Sequence, residues 1–203
     1  MSVNFKRPLL SRRSIIAAAP GLAVSAAWGN RARAQSTDSG LPDAADGWGQ
    51  ATTAAAPPLA FSDVDGNKLT LKAYHGHILV VNLWATWCGP CTDELPTFAA
   101  LEPRIKSLGG LVLPISIDLT GAEVVRPFYA RAKITNLPIL LDPQGHNLDV
   151  LNADGVPITL IIDRQGKLAA RVDGAADWNT PRVLAFLHEL AQGHNGAGGA
   201  MPV

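Results

Sequence analysis

The sequence is poor in cysteine, in aromatic residues and in charge of either sign. Its 203 residues include only two cysteines and 6% aromatic residues, and Lys+Arg and Asp+Glu number 17 each. Two cysteines cannot build a disulfide-rich secreted scaffold, and a closed four-ligand zinc site would have no second cysteine pair. A hydrophobic fraction of 47% excludes a disordered chain. The length suits one domain of about 150 residues with appendages.

The balanced net charge hides an uneven distribution along the chain. Residues 1–34 contain no acid, and their six cations are Lys6, Arg7, Arg12, Arg13, Arg31 and Arg33. The remainder therefore has 11 cations against 17 acids, a net charge of −6. This excess of acid argues against nucleic-acid binding, which needs a basic face.

The first 34 residues are predicted to be an export signal of the twin-arginine type. Arg12-Arg13 precede an Ala-rich apolar run over residues 15–28, which is shorter than the roughly 20 residues that span a bilayer. Ala32-Arg33-Ala34 has the small residues of a cleavage site, so cleavage is expected before Gln35. An ordinary secretory signal and an uncleaved membrane anchor are the alternatives. The periplasm is the expected location, with membrane contact only through an uncleaved signal.

The rest of the chain divides into three parts. Residues 35–58 are rich in Ser, Thr, Asp, Gly, Ala and Pro with no apolar period, which predicts a flexible linker without secondary structure. Residues 59–192 alternate strand and helix signals and form the predicted domain. Residues 193–203 are Gly-rich and are predicted to be a flexible tail.

The domain is predicted to be an α/β sandwich with a mixed central sheet. Apolar runs and turn signals predict a leading hairpin around Asp65-Gly66-Asn67, then a β-α-β half and a β-β-α half. The predicted strands cover residues 78–84, 111–117, 139–141, 158–163 and 168–173. The predicted helices follow Cys88, cover residues 123–133, and start at Pro181 with Thr180 as the capping residue.

The two cysteines lie at a predicted strand-to-helix junction, in Trp87-Cys88-Gly89-Pro90-Cys91. At this spacing on a first helical turn the two sulfurs can form a disulfide. Unpaired N–H groups at the helix N-terminus stabilise a thiolate on Cys88, which predicts Cys88 as the nucleophile. Cys91, one turn further in, is predicted to attack the mixed disulfide and release the reduced substrate.

Three other interpretations of the cysteine pair are a structural bridge, a copper-binding chaperone, and a disulfide oxidase or isomerase. A purely structural bridge over two intervening residues would close too short a loop to stabilise much. A copper-binding chaperone, with Cys88, Cys91 and one histidine as Cu(I) ligands, is chemically possible because soft thiolates select Cu(I). A disulfide oxidase or isomerase is the alternative within the enzyme class.

Two segments resemble the thioredoxin superfamily, specifically its exported TlpA/ResA-like branch of thiol–disulfide oxidoreductases. The first runs from Val81 to Cys91 and continues into Glu94-Leu95-Pro96, and the second is Gly155-Val156-Pro157-Ile158-Thr159. The resemblance covers about 130 residues of the chain. It implies a thioredoxin fold, a three-layer α/β/α sandwich, with the predicted N-terminal hairpin as an addition.

The same resemblance implies roles for residues outside the cysteine pair. Pro157 matches a cis-proline opposite the dithiol, and the Val156 backbone would pair with an extended substrate segment. Glu94 would influence thiol acidity and accept the Cys91 proton, the alternative being a first-turn acid that complements the helix dipole. Asn82 stands where cytosolic thioredoxins carry a titratable aspartate. Trp87 is expected to shape the substrate surface.

The predicted activity is reduction of disulfides in exported proteins. Gly89-Pro90 is the dipeptide of reducing thioredoxins, whose potential lies near about −270 mV. By family analogy the substrates are apocytochrome c or copper-site proteins, and a membrane thiol-electron donor returns the electrons. Neither a cofactor nor a metal is expected.

Overall fold

The computed structural model describes residues 40–48 and 54–193. The strands are β1 (Ala60–Ser62), β2 (Lys68–Thr70), β3 (Ile78–Trp84), β4 (Gly110–Ser116), β5 (Leu140–Leu141), β6 (Ile158–Ile162) and β7 (Leu168–Asp173). The helices are α1 (Gly89–Ser107), α2 (Ala122–Ala132), α3 (His146–Val150) and α4 (Pro181–Ala191), and short 3₁₀ turns cover Ala44–Asp46 and Leu71–Tyr74.

The seven strands of the described residues form one mixed sheet in the order β2-β1-β5-β4-β3-β6-β7. β3 pairs in parallel with β4 and antiparallel with β6, and β7 continues antiparallel to β6. β1 and β2 pair antiparallel around the predicted turn at Asp65-Gly66-Asn67. β6 therefore runs antiparallel to the central strand β3, whereas β7 runs parallel to it, so the hairpin of the β-β-α half makes the sheet mixed as predicted. The central strand β3 is buried along its whole length, which explains its continuous apolar run.

Alternate residues of β3 enter the two cores of the sandwich. Ile78, Val80 and Trp84 pack in a core shared with α1, α2 and α4. Leu79, Val81 and Leu83 face the opposite core, which is covered by α3, by the 3₁₀ turn after β2 and by the segment before β1. Asn82 lies on the same face of β3 as Ile78, Val80 and Trp84, so its amide points toward the layer of α1 and α4. The fold is the predicted three-layer sandwich.

Helix boundaries follow local signals in the sequence. Cys88 is the N-cap of α1, and Gly89 and Pro90 are its first residues, where the missing N–H of proline costs nothing. Thr180 caps α4 by accepting from the Val183 N–H, as predicted. α1 continues through Pro96 to Ser107 as one helix.

The prediction that residues 35–58 lack secondary structure is wrong for part of that segment. The short 3₁₀ turn starts at Ala44, which is fully buried, and Asp43 forms a parallel bridge with Asp177. Ala55 forms a second bridge with Lys167. The partners of these contacts, Asp177 and Lys167, lie more than 100 positions away along the chain, which composition does not reveal.

One helix of the structure was not predicted, and two predicted segments lie outside the described residues. The helix α3 was not predicted, because at five residues it is too short for an apolar period. The predicted signal (1–34) and nearly all of the predicted tail (193–203) lie outside the described residues. Within residues 40–48 and 54–193, no helix is long and apolar enough to cross a membrane.

Candidate active site

The two cysteines form a disulfide at the N-terminus of α1. The Cys88 and Cys91 sulfurs are 2.09 Å apart, and the Cys91 N–H donates to Cys88 Sγ at 3.2 Å. Cys88 is 7% exposed and Cys91 is fully buried. After reduction, the same N–H and the helix dipole would stabilise a Cys88 thiolate. Of the two cysteines, Cys88 is thus the slightly exposed one and Cys91 the fully enclosed one.

A second loop contacts the dithiol from the end of the sheet where β6 begins. The Val156–Pro157 peptide bond is cis, as the sequence resemblance implies. The Val156 carbonyl oxygen lies 3.7 Å from Cys88 Sγ. A backbone carbonyl beside the sulfur is well placed to pair with an extended peptide held on Cys88.

Glu94 is completely buried on α1, three residues after Cys91. Its Oε1 accepts from Asn82 Nδ2 at 2.8 Å. Its Oε2 accepts from the Ala176 N–H at 3.2 Å and from Trp178 Nε1 at 3.3 Å. Glu94 lies beyond the first turn of α1, so the alternative role of a first-turn acid at the helix dipole is wrong. Residues three apart on a helix share a face, so Glu94 follows Cys91 by one turn on the same side of α1.

The burial of Glu94 changes its acidity. Loss of water raises the pKa of its carboxyl from 4.5 to about 7, and the donors from Ala176, Asn82 and Trp178 oppose that rise. A carboxyl that titrates near neutral pH can both accept and return a proton under physiological conditions. It is therefore suited to serve a buried thiol whose proton has no direct route to water.

Asn82 and Trp178 hold the Glu94 carboxyl from two sides. Asn82 Nδ2 also donates to Thr159 Oγ1 at 3.0 Å, across the β3–β6 pair. Trp178 is fully buried and stacks on Phe98, with ring centroids 5.2 Å apart. Asn82 cannot titrate, so Glu94 is the titratable member of this group.

A buried aspartate supports the loop that leads into the cysteines. Asp118, 3% exposed, accepts from the Thr86 N–H at 2.9 Å and from Thr86 Oγ1 at 2.7 Å. It also accepts from Ser116 Oγ at 2.8 Å. These bonds tie the β3–α1 loop to the end of β4, and so help to fix the position of Cys88.

Two large apolar side chains stay exposed in the loops that Asp118 joins. Trp87, directly before Cys88, is 69% exposed, whereas Trp84 is fully buried. Leu119, directly after Asp118, is 86% exposed. The sequence predicts a role for Trp87 but none for Leu119, because a single leucine in a polar loop forms no recognisable pattern.

Several functional neighbours could not be found from the sequence. Thr159, Ala176 and Trp178 join the Glu94 group although they lie 65 or more residues from Glu94 along the chain. Trp178 lies in a polar segment before α4, and nothing local links it to the cysteines. In the described part of the chain, no cluster of three or more His, Cys, Asp or Glu residues is placed to hold a metal.

A redox-active dithiol that caps a helix after the central strand, beside a cis-proline loop, defines a thioredoxin-fold protein of the thiol–disulfide exchange class. A model of the AhpC/TSA family matches residues 52–171, a segment that contains both cysteines and the cis-proline, and the chain belongs to that family.

Similar proteins share both the dithiol chemistry and the fold. The chain is 31% identical over 124 residues to the thiol-disulfide oxidoreductase ResA of Geobacillus kaustophilus, covering 61% of this chain and 70% of that protein. It is 28% identical over 119 residues to ResA of Bacillus thuringiensis subsp. konkukian, covering 59% and 68%. The crystal structure of the pneumococcal exposed lipoprotein thioredoxin Etrx1 from Streptococcus pneumoniae matches at 26% identity and a TM-score of 0.52, covering 65% and 98%. The protein is a thiol–disulfide oxidoreductase.

Proposed function

We propose that this oxidoreductase is exported and reduces disulfides in other exported proteins. The observation that carries the proposal is the Cys88-Gly89-Pro90-Cys91 dithiol at the N-terminus of α1, with Cys88 7% exposed and Cys91 fully buried, one helical turn before the buried Glu94. Gly89-Pro90 is the dipeptide of reducing thioredoxins. The apolar Trp87 beside Cys88 offers a contact for a protein substrate.

The proposed reaction transfers two electrons to the substrate in two exchanges. The Cys88 thiolate attacks one substrate sulfur; the substrate disulfide breaks, and its other sulfur leaves as a thiolate that takes a proton from water. Glu94, as carboxylate, then accepts the Cys91 proton, and the Cys91 sulfur attacks Cys88 Sγ. The bond between Cys88 and the substrate breaks, and the second substrate sulfur leaves as a thiolate that takes up the proton from Glu94, which leaves the Cys88–Cys91 disulfide, the Glu94 carboxylate and a reduced substrate.

The proposed partners complete this cycle. A membrane thiol-electron donor would return two electrons and two protons to the Cys88–Cys91 disulfide. Apocytochrome c and copper-site proteins are the proposed substrate classes, since both must present reduced cysteines to bind heme or metal. The support for these partners is the family resemblance of the dithiol and cis-proline segments.

The reduction potential tests the proposed direction of exchange. The protein, after removal of residues 1–34 as in the proposed export, is equilibrated in redox buffers, and the Cys88–Cys91 state is read by alkylation. We expect a potential below about −220 mV. A value above about −160 mV, closer to the strong oxidant DsbA, would instead support an oxidase or isomerase.

A trapping experiment tests the assigned roles of the two cysteines. Cys91→Ser should accumulate a mixed disulfide on Cys88 with exported proteins, because the second exchange is blocked. Cys88→Ser should accumulate none and provides the matched control. Equal trapping by the two variants would contradict the assignment.

The proposed export depends on Arg12 and Arg13. Replacing both by lysine keeps the charge but removes the pair that the twin-arginine route requires. We expect the variant to remain in the cytoplasm, while the wild type appears in the periplasmic fraction. Periplasmic recovery of the variant would favour an ordinary secretory signal instead.

A further inference from the structure

The segment Gly40–Trp48, here called the N-terminal arm, docks on the loop between β7 and α4. The Ala44 N–H donates to the Asp177 carbonyl at 3.1 Å, and the Asp177 N–H donates to the Pro42 carbonyl at 2.7 Å. Ala44 is fully buried in this contact. The arm thus holds both backbone polar groups of Asp177.

The residues on either side of Asp177 are the two donors to Glu94 Oε2. The Ala176 N–H lies 3.2 Å from Oε2, and Trp178 Nε1 lies 3.3 Å from it. The Trp178 N–H is held in turn by Thr97 Oγ1 on α1 at 3.1 Å. The arm therefore clamps the middle residue of a three-residue segment whose outer residues bind the buried carboxyl.

Asp43 anchors the arm to the start of α4. Its Oδ1 accepts from the Ala45 N–H and from Thr180 Oγ1, each at 2.9 Å. Thr180 is also the N-cap of α4, so one hydroxyl joins the arm to the helix start. Arg182 on α4 pairs with Asp46 and lies 3.9 Å from Asp43 Oδ2.

An aromatic contact completes the docking of the arm. The Trp48 and Phe186 ring centroids are 4.2 Å apart, and Phe186 lies on the buried face of α4. The arm is thereby held along its length, by backbone pairing at one end and by ring packing at the other.

We propose that the N-terminal arm is a positioning element for the redox site, which holds Ala176 and Trp178 on Glu94 and so sets how readily that carboxyl exchanges a proton with Cys91. The effect on thiol exchange rests on the proposed role of Glu94, whereas the effect on Glu94 itself does not. Only residues 35–39 separate the arm from the predicted export signal, so any loss of the arm at its N-terminal side would alter the redox site about 50 positions away in the sequence.

The direction in which the pKa of Glu94 changes distinguishes a loss of positioning from a simple loss of charge at Asp43. The groups hydrogen-bonded to Glu94, from β3 and from the β7–α4 loop, are uncharged. The two cysteines of α1 do not titrate while they form the disulfide. The charged groups of the docking contact are Asp43, Asp46, Asp177 and Arg182. Removing the Asp43 charge alone removes an anion and would lower the pKa of Glu94. Losing the Ala176 and Trp178 donors would raise it, because donors stabilise the carboxylate.

The test titrates Glu94 in the oxidised protein, where the cysteines do not titrate and no substrate is needed. The titration follows the side-chain carboxyl carbon by ¹³C NMR. Asp43→Ala removes the anchor, and we expect the pKa of Glu94 to rise by about 0.5–1 unit with faster hydrogen exchange at the Ala176 amide. Asp43→Asn keeps the accepting oxygen and should produce no rise. Asp63→Ala, which removes a comparable loop aspartate at the opposite sheet edge, should leave Glu94 unchanged.

A second variant interrupts the clamp without changing charge. Ala44→Pro removes the N–H that Asp177 accepts, at the first residue of a 3₁₀ turn where proline fits. It should raise the pKa of Glu94 as Asp43→Ala does. Circular dichroism shows which of the two variants, Asp43→Ala and Ala44→Pro, is folded like the wild type. An unchanged pKa of Glu94 in a variant folded like the wild type would overturn the inference. If these shifts occur but Glu94→Gln reduces disulfides at the wild-type rate, the positioning stands and the proposed proton-transfer role of Glu94 fails.

Discussion

The residue that most distinguishes this site is Glu94, a fully buried carboxyl with three hydrogen-bond donors. Its donors reduce, but do not cancel, the cost of burying its charged form, so its pKa lies near 7. The proposed acceptor of the Cys91 proton therefore has an acidity suited to proton exchange near neutral pH. Burial thus makes the carboxylate form less stable, and for the same reason the group can exchange a proton at neutral pH.

Glu94→Gln tests the buried carboxyl through protein stability. Its folded-state pKa of about 7 lies above the ordinary value of 4.5, so the folded protein binds the proton more tightly than the unfolded chain. The stability from this preference is complete below about pH 4.5 and is lost as pH rises through about 7. Urea unfolding of the oxidised proteins should show wild type losing about 2–3 kcal/mol more than Glu94→Gln between pH 5 and 8. Parallel pH profiles would show that Glu94 does not titrate in this range.

Asp118 holds the β3–α1 loop, which leads into Cys88, by hydrogen bonds to Thr86 and Ser116. Asp118→Ala leaves Thr86 and Ser116 without their acceptor, and we expect unfolding in urea to become easier by about 2 kcal/mol. The reaction of reduced Cys88 with a small alkylating reagent should change as well, because the loop before it loses its tie to β4. Asp118→Asn, which can still accept, provides the conservative control. A stability loss without any change at Cys88 would limit Asp118 to a purely structural role.

At the scale of elements, α1 packs so closely on the sheet that the first residue of β4 has no room for a side chain. A Cβ added at Gly110 would lie 2.5 Å from Ile105 Cγ1 and 2.9 Å from the Ile78 carbonyl oxygen. The second of these is backbone of the central strand and cannot move away easily. The absence of a side chain at Gly110 therefore lets α1 and β3 pack closely.

Gly110→Ala should accordingly destabilise the fold by about 1–3 kcal/mol, through overpacking. Gly155→Ala is the matched control, since an added Cβ there meets nothing within 4 Å and the residue has no positive φ. Thermal unfolding of the two variants measures the difference. Equal melting temperatures would mean that Ile105 and β3 rearrange at little cost.

The elements themselves were predicted more successfully than their contacts. The β3 strand, the helix after Cys88 and the Thr180 cap follow from apolar runs, helical period and capping residues within a few positions of one another. The helix α3 and the docking of the N-terminal arm were not predicted. Their order comes from distant partners, as when Asn147 on α3 binds both the N–H and the carbonyl of Ala60 on β1.

At the scale of the whole molecule, the redox state and the stability of the fold are linked. If the folded protein is a reductant, its disulfide form is favoured relative to the dithiol more than in the unfolded chain. The strong oxidant DsbA shows the reverse, because its reduced form is the stabilised one. Stability measurements in the two redox states therefore report the direction of exchange without any substrate.

We expect the oxidised protein to unfold at a higher urea concentration than the reduced protein. Each 30 mV by which folding lowers the potential corresponds to about 1.4 kcal/mol of additional stability in the oxidised form. The double variant Cys88→Ser/Cys91→Ser, measured with and without dithiothreitol, controls for effects of the reductant. A reduced form more stable than the oxidised form would contradict the proposed reductant and favour an oxidase.

The sequence by itself determined the dithiol, the helix that it caps, the main strands and the fold class. Each of these depends on neighbouring positions, such as the spacing of Cys88 and Cys91 or the apolar run of β3, and local backbone physics acts over the same range. The tertiary structure alone decided what surrounds Glu94. Asn82 comes from β3 and lies 12 positions from Glu94, and Trp178 comes from the loop after β7 and lies 84 positions from it. The N-terminal arm contacts the same loop at Asp177. Burial and donors set the acidity of a carboxyl, and only the folded sheet and its loops bring them together.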